Sequence, residues 1–512
     1  MTSPTAHREV ERKLRVAADF ALPDLVAAGL AASAQPEQAF RMQAVYHDTA
    51  DLTLFRWGIT LRRREGGSDA GWHMKLPVSG AADGARDELH VPLDAGPVGS
   101  VPVALLEIVA PLLRDQPVVA AVHVDTLRTP TVLRDPEGRA LVELVDDSVT
   151  ITRGGRVIDR FREVEVEAVD ASDSRALALV DDVASHLATL GAAPSSVSKA
   201  AQALGPRGAA APDVPPHPTP GRDGLAVDAL RSVLALHVRH LLLADVAVRR
   251  DLPDSVHQMR VAARRIRSAL AAFRPLLDEE RSAFLREDLR WMASELGMIR
   301  DTEVMQERLD EHAMMLDSAE DADRARTAID PLLTARLVAA RSSALAALRS
   351  DRHLELIEDL VAAANRPPVT DAAYASCSDA LLPLVARTWR RLAKDVSRLA
   401  IDSPSTDWHE ARIRAKRARY TADAVAPIFG KRMAAYARAL GEVTEVLGDH
   451  QDAFVAQGIL RELAGHADVD GPTGFALGLL HEYEMDEEIL DRVRFGEVWP
   501  RASAAARRAG IG

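Results

Sequence analysis

The segment REVERKLRV, residues 8–16, places Glu9, Glu11, Lys13 and Arg15 on one parity and Val10, Leu14 and Val16 on the other. Successive side chains of a strand point to opposite faces. A strand here therefore carries one strongly charged face and one apolar face.

Outward from this segment the same split recurs. In FREVEVEAV, Glu163, Glu165 and Glu167 oppose Val164, Val166 and Ala168. In RDELHVPL, Arg86, Glu88 and His90 oppose Leu89 and Val91. GITLRRRE puts Arg62 and Arg64 on one face, GWHMKLPV supplies Lys75, and RMQAVYHDT and RALVELVDD alternate in the same way. Turn residues separate these runs, so antiparallel β structure is expected. Helices are expected near Ala21–Ala32, Val101–Leu113 and Ser174–Leu190.

A single charged face is ordinarily a solvated sheet surface. Five strands with Glu-x-Glu-x-Lys and Arg-x-Arg runs suggest something else, because close like charges repel unless ions of opposite sign intervene. Paired carboxylates suit a hard divalent cation, and Arg and Lys clusters suit phosphoryl oxygens. Both on one face describe a metal–phosphate site.

Glu9-Val10-Glu11-Arg12-Lys13 resembles the Glu-x-Glu-x-Lys signature of the CYTH, or triphosphate tunnel metalloenzyme, superfamily. YHDTADLTLFRWGITLRRR at 46–64 is similar to that family's next block, and Lys75, Arg86-x-Glu88 and the Glu163/Glu165/Glu167 strand follow in its order. This resemblance covers almost all of residues 7–205. It implies a closed eight-stranded antiparallel β tunnel with flanking helices. It implies a triphosphate gripped by Lys13, Arg62, Arg64, Lys75 and Arg86, with Arg128 and Lys199 placed by order. Glu9, Glu11, Glu163 and Glu165 would hold Mg²⁺ or Mn²⁺, with Glu143 and Asp146 or Asp147 in support. Glu9, Glu11 and Lys13 would be the residues closest to catalysis. The chain departs from the family at His90, where an acidic residue often stands.

At 512 residues two or three domains are expected. The net charge of −13 does not suggest a generic nucleic-acid binder. Cys377 is the only cysteine, which excludes intramolecular disulfides and Cys-based zinc sites. MTSPTAHREVERK has no apolar signal run and no later stretch approaches a membrane span, so a cytoplasmic protein with no membrane partner is expected.

Between Gly205 and Gly224, GPRGAAAPDVPPHPTPGRDG loses all periodicity and reads as a semi-rigid linker. The expected division is 1–205, a linker at 206–224, and 225–512. After the linker, long Ala/Leu/Arg-rich segments have helical spacing, so this part is expected to be all-α. It also repeats: HQMRVAARRIR at 257–267 aligns with HEARIRAKRAR at 409–419, and LGMIRDTEV at 296–304 with LGDHQDAFV at 447–455. The offsets nearly agree, which marks a duplicated helical unit.

On a helix, His257, Arg260, Arg264 and Arg267 fall within a sector of about 80°, and Met259, Ala263, Ile266 and Leu270 lie on a neighbouring, inward face. His409, Arg412, Lys416 and Arg419 take the same positions in the second unit. Solvated faces usually interleave Glu with Lys at i,i+4, and neither stripe does. Two matching basic stripes suggest two walls of one anion-binding surface. Arg265, Arg414 and Arg417 add charge beside them.

HQMRVAARRIRSALAAFRPLL and LGMIRDTEV, with Arg300 and Asp301, resemble the opening blocks of CHAD domains, a conserved-histidine α-helical family often joined to CYTH domains. This resemblance spans roughly residues 225–505. It implies an all-α duplicated helical bundle of paired four-helix units that binds inorganic polyphosphate along its basic surface. Gln451 replaces the arginine in the second repeat.

The function expected from both parts is polyphosphate binding with metal-dependent hydrolysis of triphosphate. Its alternative is a non-catalytic scaffold docking polyphosphate granules. Nucleic-acid binding is disfavoured, since aromatics are only 4% and none interleaves the first stripe. No residues signal an adenylate-cyclase base pocket, and no complete P-loop, Rossmann fingerprint or His-Glu-x-x-His helix is present.

Overall fold

The computed structural model describes residues 5–67, 69–78, 86–97, 99–195, 198–467 and 469–511, without the side chains of 5–9, 206 and 209. It divides into two compact units, Met1–Asp213 and Val214–Gly512.

The first unit contains β1 (Thr5–Glu9), β2 (Glu11–Val16), β3 (Ser33–Pro36), β4 (Phe40–Asp48), α1 (Thr53–Arg56), β5 (Thr60–Glu65), β6 (Gly71–Pro77) and β7 (Arg86–Val91). It continues with α2 (Val103–Leu113), β8 (Val119–Arg134), β9 (Ala140–Arg153), β10 (Arg156–Ala168), α3 (Ser174–Thr189), β11 (Ala193–Pro194) and α4 (Lys199–Leu204). All strands join one antiparallel sheet in the order β1-β7-β6-β5-β4-β8-β9-β10-β2-β11, with β3 pairing β8 off this path.

The expected closed eight-stranded tunnel is thereby corrected: among the described residues the sheet has eleven strands and its hydrogen-bonded ladder does not close. The physical reason lies at Val10. This residue interrupts the N-terminal strand, so that β1 pairs with β7 while β2 pairs with β10.

The apolar parity of β2, β9 and β10 explains which way the charged faces turn. Leu14, Val16, Val142, Leu144, Val164 and Val166 pack with Ala176, Val180, Val183 and Leu187 of α3, which recur at i+4, i+3 and i+4. Each buried side chain of this kind stabilises the fold by about 1.5–3 kcal/mol. The charged parity is left to face the other side. The Asp173 carboxylate accepts a hydrogen bond from Arg175 N at the start of α3.

Residues 21–32 do not form the expected helix. Asp24 accepts from Val26 N and Ala27 N, forming a capped turn, and Gly29, at φ +75°, ends it in the left-handed region.

The second unit is all-helical: α5 (Ala226–Arg249), α6 (Ser255–Ala272), α7 (Glu279–Ala313), α8 (Ala319–Leu348), α9 (Asp351–Asn365), α10 (Cys377–Val396), α11 (Ser405–Phe429), α12 (Lys431–Ala464) and α13 (Gly471–Arg508). Consecutive helices pack within α5–α8 and within α10–α13, and α6 touches α11. Met259, Ala263, Ile266 and Leu270 are all buried. No helix among the described residues is long and apolar enough to cross a membrane.

Segment 205–224 opens on a short 3-10 helix, Gly205–Ala209, and is anchored further on. Asp213 accepts from Trp57 Nε1 (2.9 Å) and Arg114 (2.6 Å) in the first unit, and Arg239 donates to Val214 O (2.6 Å) in the second.

Candidate functional site

The charged faces of most of β2 and β5 to β10, with Phe40, Met42, Ala44 and Tyr46 of β4, enclose a cavity of roughly 1520 Å³. Lys13, Arg62, Arg64, Lys75, Arg86, Arg128 and Lys199 line it, together with Glu11, Glu88, Glu143, Glu165 and Glu167. The strand register sets this gathering. Glu167 lies opposite both Glu11 and Glu143, Glu165 opposite Lys13, and Glu163 opposite Asp147.

Two carboxylate groups form at its wall, the first reaching the cavity through Glu165. Asp147, Glu163 and Glu165, all buried, offer ligand atoms within 4.8 Å of one another. Cations already surround them. Lys199 Nζ lies 2.5 Å from Glu163 and 2.9 Å from both Asp147 and Glu165. Arg128 donates bidentately to Asp147 (2.9 and 2.6 Å) and also to Glu165 (2.8 Å). Lys13 sits 3.0 Å from both Glu165 and Glu11. Burial opposes the Glu165 charge, but Lys13, Lys199 and Arg128 outweigh it and hold the carboxyl well below its ordinary range. Burial likewise opposes the Lys13 charge, and Glu165 and Glu11 hold its pKa well above the usual lysine value.

In the second group burial outweighs the nearby cations. Burial, reinforced by Glu11, pushes Glu167 up to about 7. Burial also raises Glu143 despite the opposing pull of Arg128. Facing carboxylates that resist ionisation are the arrangement a divalent cation would relieve. The donor set is all oxygen, which suits a hard divalent cation.

The cation side is crowded too. Burial lowers Arg64 to about 9, with Arg62 adding repulsion. Like charges held this closely inside a cavity favour an anion between them.

Not every expected residue joins the group. The Glu9 side chain lies outside the described residues. Asp146 sits on the opposite face of β9, where Arg162 donates to it bidentately at 2.8 and 2.6 Å. Asp147, one residue on, faces the cavity side. His73 was not foreseen: it is buried, and its Nδ1 lies 2.9 Å from Glu88 Oε1, which is also 3.5 Å from Arg62. Burial lowers His73 to about 4, so it is neutral here. Its place in β6, opposite His90 in the register, was the available signal.

In the helical unit the stripes converge where α6 meets α11. Arg264 lies over the Tyr420 ring, 5.4 Å from its centroid, and Arg265 lies 5.0 Å from the same ring. Burial, then Arg412 and Arg264, lower Lys416 to about 7. Arg264 and Arg412 each keep a buried Nε without a hydrogen-bond partner. Carboxylates from the following helices border the stripes. Arg260 pairs with Asp301 at 3.0 Å, and the charge of Arg412 acts on Asp452, the equivalent residue of the second repeat. His257 lies near Arg300, whereas His409 hydrogen-bonds Gln451.

The flanking cations diverge in their use. Arg265 pairs with Asp423, Arg414 with Asp395 (3.1 Å), and Arg419 donates to Thr444 Oγ1 (2.7 Å). Burial lowers Arg267, and Arg290 adds to the effect; Arg417 is lowered by burial and by Arg414.

An oxygen-lined, cation-rich cavity in a curled sheet, joined to a duplicated basic helical unit, defines the class. The chain belongs to the CYTH–CHAD family: the CYTH domain matches residues 7–202 and the CHAD domain residues 232–461. An uncharacterized protein of Mycobacterium tuberculosis, Rv2226, is 34% identical to it over 94% of each chain. PptA from Streptomyces chartreusis is 25% identical with a TM-score of 0.48, covering 54% of this chain and 100% of its own. The CHAD domain from the plant Ricinus communis is also 25% identical, with a TM-score of 0.47, covering 56% of this chain and 95% of its own.

Proposed function

We propose that the chain binds inorganic polyphosphate through its helical unit and hydrolyses triphosphate in its sheet cavity with Mg²⁺ or Mn²⁺. One observation carries the second half: a single cavity holds a set of crowded cations and, separately, carboxylates that burial keeps from ionising. Lys13, Arg62, Arg64, Lys75, Arg86, Arg128 and Lys199 would bind and orient the phosphate chain. Glu11, Glu143 and Glu167 would hold the metal. Glu163 and Glu165 would join them as the phosphates draw Lys13, Lys199 and Arg128 away. The bound ion supplies charge neutralisation at the phosphoryl oxygens and lowers the pKa of a coordinated water. Phosphate release from tripolyphosphate, nucleoside triphosphates and long-chain polyphosphate, with each metal and with chelator, tests this. No metal-dependent release from any of them sinks the hydrolytic reading.

The second reading is a non-catalytic scaffold that docks at polyphosphate granules. It is favoured by the mutual neutralisation of Lys199, Asp147, Glu163 and Glu165, which occupies part of the site without a ligand.

For the helical unit, contacts to successive phosphates release condensed counterions, so affinity should fall steeply with salt. Changing Arg260 and Arg264 together to Gln should reduce the log–log salt slope by roughly 1.5–2, whereas Arg349→Gln, outside both stripes, should change it little. Titrations with long-chain polyphosphate at several salt concentrations decide it. Equal losses from stripe and control would leave net charge as the only determinant.

Lys416 makes the same binding pH-dependent. Unliganded, it loses its proton near pH 7, and a polyanion beside it raises its pKa, so binding takes up a proton above that pH. Affinity should therefore weaken with rising pH, by up to about tenfold per unit above pH 7. Lys416→Arg, charged throughout, should flatten the profile. A parental profile already flat between pH 6 and 9 would remove Lys416 from the binding surface.

A further inference from the structure

A second cavity, of roughly 570 Å³, lies in the helical unit among the end of α10, the start of α11 and the last turns of α13. Its wall is aromatic. Trp389 and Trp499 stack with centroids 5.1 Å apart and planes 21° from parallel, and Phe495 extends the stack to 5.9 Å and 14°. Trp408 closes one side, edge-on to Phe495.

Two observations give this cavity a polarity. The Trp408 indole Nε1–H is buried without an acceptor, and an unmet buried donor is costly. Arg507, on the rim, is exposed and has no ion-pair partner among the described residues. Arg492, by contrast, is committed to Glu488 (2.6 Å), His450 (3.1 Å) and Ile401 O (2.8 Å), and serves as wall. Gly496 opens the space: a Cβ there would meet nothing within 4 Å.

We infer that this cavity binds a small planar aromatic anion. Its ring would lie against Trp499, the half-buried member of the aromatic stack, an acceptor on it would meet Trp408 Nε1–H, and its phosphate or carboxylate would reach Arg507. A nucleoside monophosphate and a simple aryl phosphate share this chemistry. The site lies in the helical unit and shares no residue with the sheet cavity, so failure of the triphosphatase reading leaves it untouched.

The test is calorimetric titration of the full-length protein with 1-naphthyl phosphate, AMP, 1-naphthol and inorganic phosphate, followed in parallel by tryptophan fluorescence. Saturable 1:1 binding of 1-naphthyl phosphate is expected, and AMP binding equally well would identify nucleotides as the source. Gly496→Leu, which fills the open space, should weaken it about tenfold or more. Arg507→Gln should weaken 1-naphthyl phosphate about fivefold and leave 1-naphthol unchanged. Circular dichroism melting confirms that both variants fold. Absence of saturable binding by either aromatic anion at millimolar concentration overturns the inference. So does a folded Gly496→Leu protein that binds like the parent, or inorganic phosphate binding as tightly as 1-naphthyl phosphate.

Discussion

Glu11→Gln is expected to leave the protein folded and to reduce metal-dependent phosphate release from tripolyphosphate by at least about a hundredfold, the scale of losing one electrostatic partner of a reacting group. Glu11 lines the cavity and contacts Lys13 at 3.0 Å, while the stabilising parity of β2 is Leu14 and Val16, packed on the α3 side. Glutamine keeps the shape and an acceptor for Lys13, so the change is one of charge. Its consequence falls on Glu167 as well. That carboxyl is raised by burial and then by Glu11, so removing the Glu11 charge lets Glu167 ionise more easily. The variant should therefore bind metal more weakly yet melt at or slightly above the parental temperature. Steady-state release assays, metal titration and a melting curve separate these effects. Parental turnover in the Gln variant would remove Glu11 from the metal set.

Much of this was legible because charge and hydrocarbon alternate within single strands. In β2 and β10 the period-two pattern alone separated the cavity face from the α3 face, and in α6 the helical period separated the stripe from Met259, Ala263, Ile266 and Leu270. The choice between Asp146 and Asp147 was readable too. Counting in twos from Glu143 reaches Asp147, and the register then sets it opposite Glu163.

What stayed hidden was non-local. Strand β8 pairs with β3, β4 and β9, yet its sequence VAAVHVDTLRTPTVLR shows weak alternation and a proline, and it escaped a reading based on charged runs. The break at Val10 and the two-residue β11 carry no pattern of their own, so strand number and closure could not follow from periodicity. Lys199 was placed only by its order in the chain. Its significance depends on α4 bringing it to β9 and β10, a contact between residues about fifty positions apart that no local period encodes.

Lys199 is also where the site and the fold depend on each other most. The Lys199→Met variant removes a buried cation from three carboxylates, Asp147, Glu163 and Glu165, that are themselves buried. Arg128 and Lys13 still serve Asp147 and Glu165, but the 2.5 Å pairing of Glu163 is lost. Breaking a buried pair by removing one partner costs about 3–5 kcal/mol. For a unit of this size the melting temperature should fall by about 10 °C. Loss of α4 packing would produce a similar fall, since Ala200, Ala203 and Leu204 of that helix lie in the core beside β8 and β9. The double variant Lys199→Met with Glu163→Gln separates the two causes. If stranded charge is responsible, neutralising Glu163 should recover a large part of the lost stability, giving a strongly favourable coupling in the mutant cycle. If α4 has simply come away, the second change should recover nothing. Thermal unfolding of the parent, both single variants and the double variant decides it. Additive effects across the cycle would mean that Lys199 and Glu163 do not depend on each other for stability.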